Sequence, residues 1–409
     1  MKNTFLVLIS IILIRPLFGQ HQPKAVKTDI DRILTEQCAS GNLPGAVAMV
    51  SVHGKIIHHA AYGYARKVDK DWKPLTSPEP MTTAHLFDIA SLTKVTGTTT
   101  AIMLLTDRKK IGIDDPVKKY LPEFTGPSKD SVTISHLLSH LGGLFEWYPM
   151  YYKSSDRKTT LALICSLPLR WPVGKQRKYS DLGFTLLGAI IETVSGMPLE
   201  QFVEQEIFTP LGMNNTFYLP NNRKAVPPLV STSFGNPYEF RLVHDPSLGF
   251  QRPEIDPESW NNWRTYTLTG EVNDGNTWYA GQGVSGAAGL FSTASDLMTL
   301  TTMLMNHGKI NGRTFISENT IKQFLTKDRF NNDLGWMMDS TASFMKDAPH
   351  GSFGHTGFTG TSIVAVPSKK LIVILLTNRQ HRGLLPDNTY YNVGPVRQRI
   401  FEATLKSVK

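Results

Sequence analysis

The chain has 409 residues, 41% apolar and 10% aromatic, with 43 Lys and Arg against 34 Asp and Glu for a formal charge of +9. That composition excludes a disordered or collagen-like chain and is enough to bury a sizeable core. The positive charge is spread thinly, without a Lys/Arg block interleaved with aromatics, which argues against nucleic acid as a partner; two cysteines in this length exclude a disulfide framework.

Lys2 precedes an apolar run over 5–13, which Arg15 and Pro16 interrupt before Leu17-Phe18-Gly19. The run is too short to span a bilayer and fits a secretory signal peptide over 1–19, cut near Gly19. Its removal takes away Lys2 and Arg15 and no acid, leaving a basic mature chain. No cysteine near the junction invites lipid attachment, and no later apolar stretch has the length of a span. The expectation is a periplasmic or secreted protein with no stable membrane span, in which Cys38 and Cys165 stay as separate buried thiols.

From 26 to 41 the pattern predicts an amphipathic helix ending before Gly41. Strands follow over 46–52 and 55–62, joined at His53-Gly54 as a hairpin at one edge of an antiparallel sheet. Phe87-Asp88-Ile89-Ala90 then gives way to a helix with Leu92, Val95, Thr99, Ile102 and Leu105 on one face and Ser91 at or beside its N-cap. Further helices are expected over 134–140, 159–167 and 184–195, the last capped by Gly196, with Pro198 opening the next. Residues 219–282 are rich in Pro, Asn, Trp and Tyr without periodicity and read as an ordered rim around a site. A helix over 294–307, strands near 352–355, 362–367 and 371–377, and a closing helix with Val396, Ile400 and Leu405 complete the chain. Sheet segments at both ends with helices between them predict an α/β fold of the α+β type: an antiparallel sheet (about 20–105 and 283–409) flanked by helices, an inserted helical region (106–218) and an irregular aromatic-rich insertion (219–282).

Chemistry concentrates in three short segments. Ser91 and Lys94, three apart on one helical turn, place an amine beside a hydroxyl that is a weak nucleophile until a base takes its proton. The same spacing recurs at Ser155 to Lys158 and Ser343 to Lys346, both in surroundings that read as solvated surface. Tyr179-Ser180-Asp181 precedes a predicted helix, where a tyrosine is able to pass a proton between nucleophile and leaving group. Gly354-His355-Thr356-Gly357 ends a predicted strand and is followed by Phe358.

In this order and at these spacings the three segments resemble the motifs Ser-x-x-Lys, Tyr-x-Asn and Lys-Thr-Gly or His-Thr-Gly of the serine hydrolases that include class C β-lactamases, some D,D-carboxypeptidases, D-aminopeptidases and carboxylesterases. The likeness extends through 133–140, 186–192, 210–213 and 288–293, and covers nearly all of the chain after residue 19. It implies a β-lactamase/transpeptidase-like fold and an acyl-enzyme on Ser91, with Lys94 and Tyr179 sharing acid and base work. It implies an oxyanion hole formed by the backbone N–H groups of Ser91 and Phe358, with His355, Thr356 and Gly357 against the substrate. No metal or organic cofactor is implied, and the partner is a small ester, β-lactam or cell-wall peptide.

Two departures qualify the resemblance. Asp181 stands where the family has an asparagine that donates to an acyl-amide oxygen, and a carboxylate only accepts; Asp181 is expected either to touch substrate or to pair with Lys94. His355 stands where β-lactamases carry lysine, and a neutral imidazole attracts a carboxylate less. The favoured expectation is therefore an esterase or peptidase rather than an efficient β-lactamase, with a D,D-carboxypeptidase or D-aminopeptidase next and a silent wall-peptide-binding protein last. His136 and His140 have a spacing known from zinc sites but lack the accompanying glutamate, so a structural role is expected for both. Trp260, Trp263 and Tyr266 are expected to line a cleft or to fill the rim.

Overall fold

In the computed structural model, which describes residues 23–340 and 342–408, two apolar runs of the sequence, 45–52 and 371–377, pair at the centre of a six-stranded antiparallel sheet. The strands are β1 (Gly45–Val52), β2 (Lys55–Val68), β3 (Pro74–Pro80), β4 (Phe353–Thr356), β5 (Ser362–Val366) and β6 (Leu371–Thr377), in the order β4-β5-β6-β1-β2-β3. β1 pairs with β6 from Ala46 opposite Thr377 to Val52 opposite Leu371. Five helices matter for the site: α1 (Pro23–Ala39), α2 (Thr100–Asp107), α3 (Asp181–Ser195), α4 (Ala294–Met305) and α5 (Gly394–Ser407).

Side chains alternate across a strand, and here both sides are covered. Ala46, Ala48, Val50, Val373 and Leu375 pack on α1 and α5, while Val47, Met49, Ile372 and Ile374 face the larger core with α2, α3 and α4. Double coverage is why these strands read as unbroken apolar runs; full burial of each Val, Leu or Ile contributes about 1.5–3 kcal/mol. His53 (φ 51°) and Gly54 (φ 76°) turn the β1–β2 hairpin with two left-handed residues, the geometry that suits the strand twist.

The structure has the α+β architecture and the helices expected from the sequence, with differences that have physical causes. β2 runs on to Val68, and β3 was not foreseen because Pro74, Pro78 and Pro80 argue against a strand; an edge strand tolerates them, since one side of its backbone needs no ladder. The helix after Ser91 is not amphipathic. Every residue from Leu92 to Leu105 is buried, because this segment runs between the sheet and the helical region. Residues 219–282 are less irregular than their composition suggests: Ser231–Phe234 pairs with Thr267–Thr269, and a helix forms over Pro237–His244. Trp260 and Trp263 pack with Tyr151 and Tyr279, filling the rim, whereas Tyr266 stands apart and bonds Glu271 through its hydroxyl.

Cys38 and Cys165 are both free thiols, Cys165 buried and Cys38 half-buried. Residues 1–19, expected from the sequence to be a signal peptide, lie outside the described residues. Among the described residues no single helix is long and apolar enough to cross a membrane.

Candidate active site

Ser91 is set at the junction of a two-residue strand and a helix. Phe87–Asp88 pairs with Leu290–Ser292, and Ile89 N–H donates to Leu290 O at 3.1 Å. Ala90 then takes φ 47°, a left-handed conformation unusual for a residue with a Cβ, held by a 2.8 Å hydrogen bond from its N–H to the buried Asp88. Such strain persists only where the surroundings impose it. Thr93 N–H and Lys94 N–H close the first turn on Ala90 O and Ser91 O, so Lys94 comes up on the face of Ser91. The other two Ser-x-x-Lys sequences are elsewhere at the surface: Ser155, Lys158 and Lys346 are exposed.

Lys94 is 1% exposed, and its ammonium has three acceptors: Ser91 Oγ at 3.1 Å, Ala287 O at 2.8 Å and Asp181 Oδ1 at 2.7 Å. Three donors therefore meet three acceptors. The Ala287 carbonyl is itself positioned by the threonines of the buried helix, with Thr98 Oγ1 donating to Gly286 O and Thr93 Oγ1 accepting from Leu290 N–H. Burial by itself would lower the pKa of Lys94; Asp181 and then Tyr179 outweigh it and hold the amine above its ordinary value.

Tyr179 lies over this amine, its ring 5.2 Å from Lys94 Nζ, with Ser91 and Lys94 both acting on its hydroxyl. Burial raises the Tyr179 pKa and Asp181 adds to the rise; Lys94 and Ser91 pull it down without cancelling it, so the resting group is a phenol. The segment carrying it is pinned by His140, which accepts from Ser180 N–H at Nδ1 and from Lys178 N–H at its own carbonyl, both at 3.0 Å. The His140 ring lies against Tyr179 with centroids 4.3 Å apart. His136 caps its helix through Thr133, so both histidines are structural, and among the described residues no group of His, Cys, Asp or Glu is arranged to hold a metal. Asp181 opens α3, where a carboxylate suits the helix N-terminus.

The third segment closes the opposite wall. His355 on β4 is 2% exposed; it donates from Nδ1 to Thr356 O at 2.8 Å, and its Nε2 is buried without a partner among the described residues. Burial, with Lys94 adding, pushes its pKa down to about 3, so the ring is neutral. Gly357 is required by close packing, since a Cβ there would lie 2.1 Å from Thr361 Oγ1 and 2.5 Å from Ile89 O. Thr359 Oγ1 to Asp88 O and Thr361 Oγ1 to Ile89 O lace this loop to the strand that delivers Ser91. Phe358 is 40% exposed, and among the described residues neither its N–H nor that of Ser91 is engaged in a hydrogen bond.

Ser91, Tyr179 and Asp181 thus gather around Lys94, with the His355 ring 6.2 Å from that of Tyr179 and Gly357 packed on Ile89. Sequence reading missed two contributors. Ala287 acts through a main-chain carbonyl that no side chain betrays, and the contact of His140 with Tyr179 depends on the path of 141–178 between them. The arrangement suits nucleophilic attack by Ser91 on a carbonyl, with two proton-carrying groups on one side and two unengaged N–H groups available for the oxygen.

Residues 30–394 match the family described as Beta-lactamase. The chain is 32% identical over 383 residues to an N-acetylmuramyl-L-alanine amidase of Bacillus subtilis, covering 89% of this chain and 83% of that protein. It is also 32% identical over 373 residues to a putative D-alanyl-D-alanine carboxypeptidase of Escherichia coli, covering 86% and 82%. Among solved structures, EstCE1, a hydrolase with promiscuous acyltransferase activity, superposes with a TM-score of 0.64 at 20% identity over 93% of this chain and 99% of its own. A class C β-lactamase gives 0.64 at 20% identity over 94% and 96%. At such identities these two likenesses speak to the fold.

Proposed function

The chain belongs to the β-lactamase family of serine hydrolases, and on that premise we propose that it forms an acyl-enzyme on Ser91 with a small ester or peptide-like amide and hydrolyses it. The Lys94–Asp181 ion pair carries this reading. A carboxylate whose Oδ1 is given to a buried ammonium has no donor for the acyl-amide oxygen of a penicillin-like substrate, and a neutral His355 adds no positive charge for its carboxylate.

In the proposed reaction Ser91 Oγ bonds to the substrate carbonyl carbon while its proton passes to the Lys94–Tyr179 pair. Because Ser91 Oγ accepts from Lys94, its own hydrogen is left to go to the Tyr179 oxygen. Both partners hold their protons above the ordinary values, so one proton must leave the pair before it works as a base. The N–H groups of Ser91 and Phe358 serve the developing oxyanion, a donor of this kind being worth about 3 kcal/mol. The leaving alcohol or amine takes a proton back from the pair, and water then releases the acid.

A second reading, a peptidase or amidase acting on cell-wall peptides, draws support from the names of the two relatives at 32% identity. A silent binding protein is disfavoured by the intact Ser91–Lys94 contact. The pattern of residues 1–19 supports a periplasmic or secreted location. Intact-mass detection of a Ser91 adduct, absent in Ser91→Ala, across activated esters, D-alanyl peptides and penicillins tests these readings. Acylation by esters alone supports the first, acylation by D-alanyl peptides moves it to the second, and no adduct from any of them overturns both.

A further inference from the structure

A cavity of about 550 Å³ lies against α3, on the far side of Asp181 from the buried lysine. Its size is that of a pocket for a small organic ligand. The wall supplied by α3 is the stripe Asp181, Thr185, Ala189 and Glu192, at the i, i+4, i+8 and i+11 positions of one helix face. At 1.5 Å per residue that stripe is about 16 Å long, so the cavity is elongated along the helix. The small side chain of Ala189 leaves the space that a larger one would fill, whereas Gly188 packs closely on Gly286, a Cβ there lying 3.1 Å from its N.

Met150, Leu161, Met197, Leu199 and Val284 give it an apolar lining, and the two thioethers adapt to ligand shape. Its inner end is formed by Asp181 and Ala287, the two groups besides Ser91 that hold Lys94 Nζ. Asp274 stands beside them without an ion-pair partner within 4.0 Å among the described residues. The inner end is therefore acidic and near the nucleophile and the body is apolar, while Arg157, paired with Glu192, and Lys158 line the other end.

We infer that this cavity is a specificity pocket for an elongated, uncharged apolar group on the acyl side of the substrate. This rests on the hydrolase reading above. The acyl carbonyl sits at Ser91, and the chain beyond it passes Asp181 and runs along α3, where burial of each methylene adds about 0.8 kcal/mol, close to fourfold in binding per carbon.

The test compares p-nitrophenyl acetate with the octanoate on the full chain and on Ala189→Phe, which fills the cavity and touches none of the groups around Ser91. The wild type is expected to favour octanoate by at least tenfold in kcat/KM. Ala189→Phe is expected to lose that preference while hydrolysing acetate within twofold of wild type. Equal turnover of the two esters by the wild type, or a preference that survives Ala189→Phe, overturns the inference. If neither ester is turned over the hydrolase reading fails, and the pocket is judged by 1-octanol binding in calorimetry. Binding to wild type and not to a normally melting Ala189→Phe supports it; no binding to wild type overturns it. Should Ala189→Phe fail to fold, Ala189→Leu takes its place with a partial loss expected.

Discussion

Lys94 Nζ lies 2.7 Å from Asp181 Oδ1, joining the first turn after the nucleophile to the first residue of α3. Lys94 is 1% and Asp181 26% exposed, so the charge of the buried amine is maintained by a carboxylate that opens toward the cleft. Proton state, stability and substrate range all follow from that contact.

Lys94 and Tyr179 hold their protons above the ordinary values, so kcat/KM is expected to climb with pH through neutrality into the alkaline range. Asp181→Asn removes the anion that opposes the effect of burial on Lys94. The pKa of the amine then falls, and the rising limb shifts to lower pH. An ester-hydrolysis pH profile that is identical in the two proteins would show that Lys94 does not set the limb.

Asp181→Ala strands a buried ammonium and is expected to destabilise the fold by about 3 kcal/mol at pH 7. The sign of its pH dependence is set by Lys94. A folded-state pKa raised above the unfolded 10.5 contributes stability fully below 10.5, and that contribution is lost as pH rises through the folded value. Urea unfolding at pH 7 and pH 11 checks this: the gap between wild type and Asp181→Ala is expected to shrink at the higher pH.

Gly357→Ala drives a methyl group into Thr361 Oγ1 and Ile89 O. The cost is expected to be about 1–3 kcal/mol in stability. The displaced loop also carries Phe358 N–H, and loss of that donor predicts a fall of about 10²–10³ in kcat. Wild-type kcat in a folded Gly357→Ala would remove Phe358 from the oxyanion hole.

His355 is pushed down to about 3 and His381 to about 4 by burial, and burial with nearby cations lowers His140 as well. All three rings are expected to remain neutral between pH 5 and 8. Histidine NMR titration should show no inflection near 6.5 for them, and the ester-hydrolysis profile should carry no limb there. A midpoint near 6.5 for His355 would mean that the site gains a cation on mild acidification.

Much of this organisation was legible in the chain because it is local. Unbroken apolar runs at 46–52 and 371–377 are what strands covered on both faces require, and the His53-Gly54 turn needs only its own dihedral preferences. The edge strand with three prolines was illegible, since whether a proline is tolerated depends on having no neighbour on one side. The buried helix after Ser91 looked amphipathic because Thr93, Thr96, Thr98 and Thr100 read as polar; they are buried, and Thr93 and Thr98 bond the segment 286–290 that helps to hold Lys94.

By itself the sequence determined the spacing of Ser91 and Lys94, which one helical turn converts into proximity, and the presence of Tyr179 and His355 as proton-carrying and polar groups. Only the tertiary structure decided what those groups are worth. It placed the Ala287 carbonyl from 193 residues away and the Asp181 carboxylate on the same ammonium, and it buried His355 until its ring is neutral. Protonation depends on desolvation and on charges within a few ångströms, and neither is a property of neighbours along the chain.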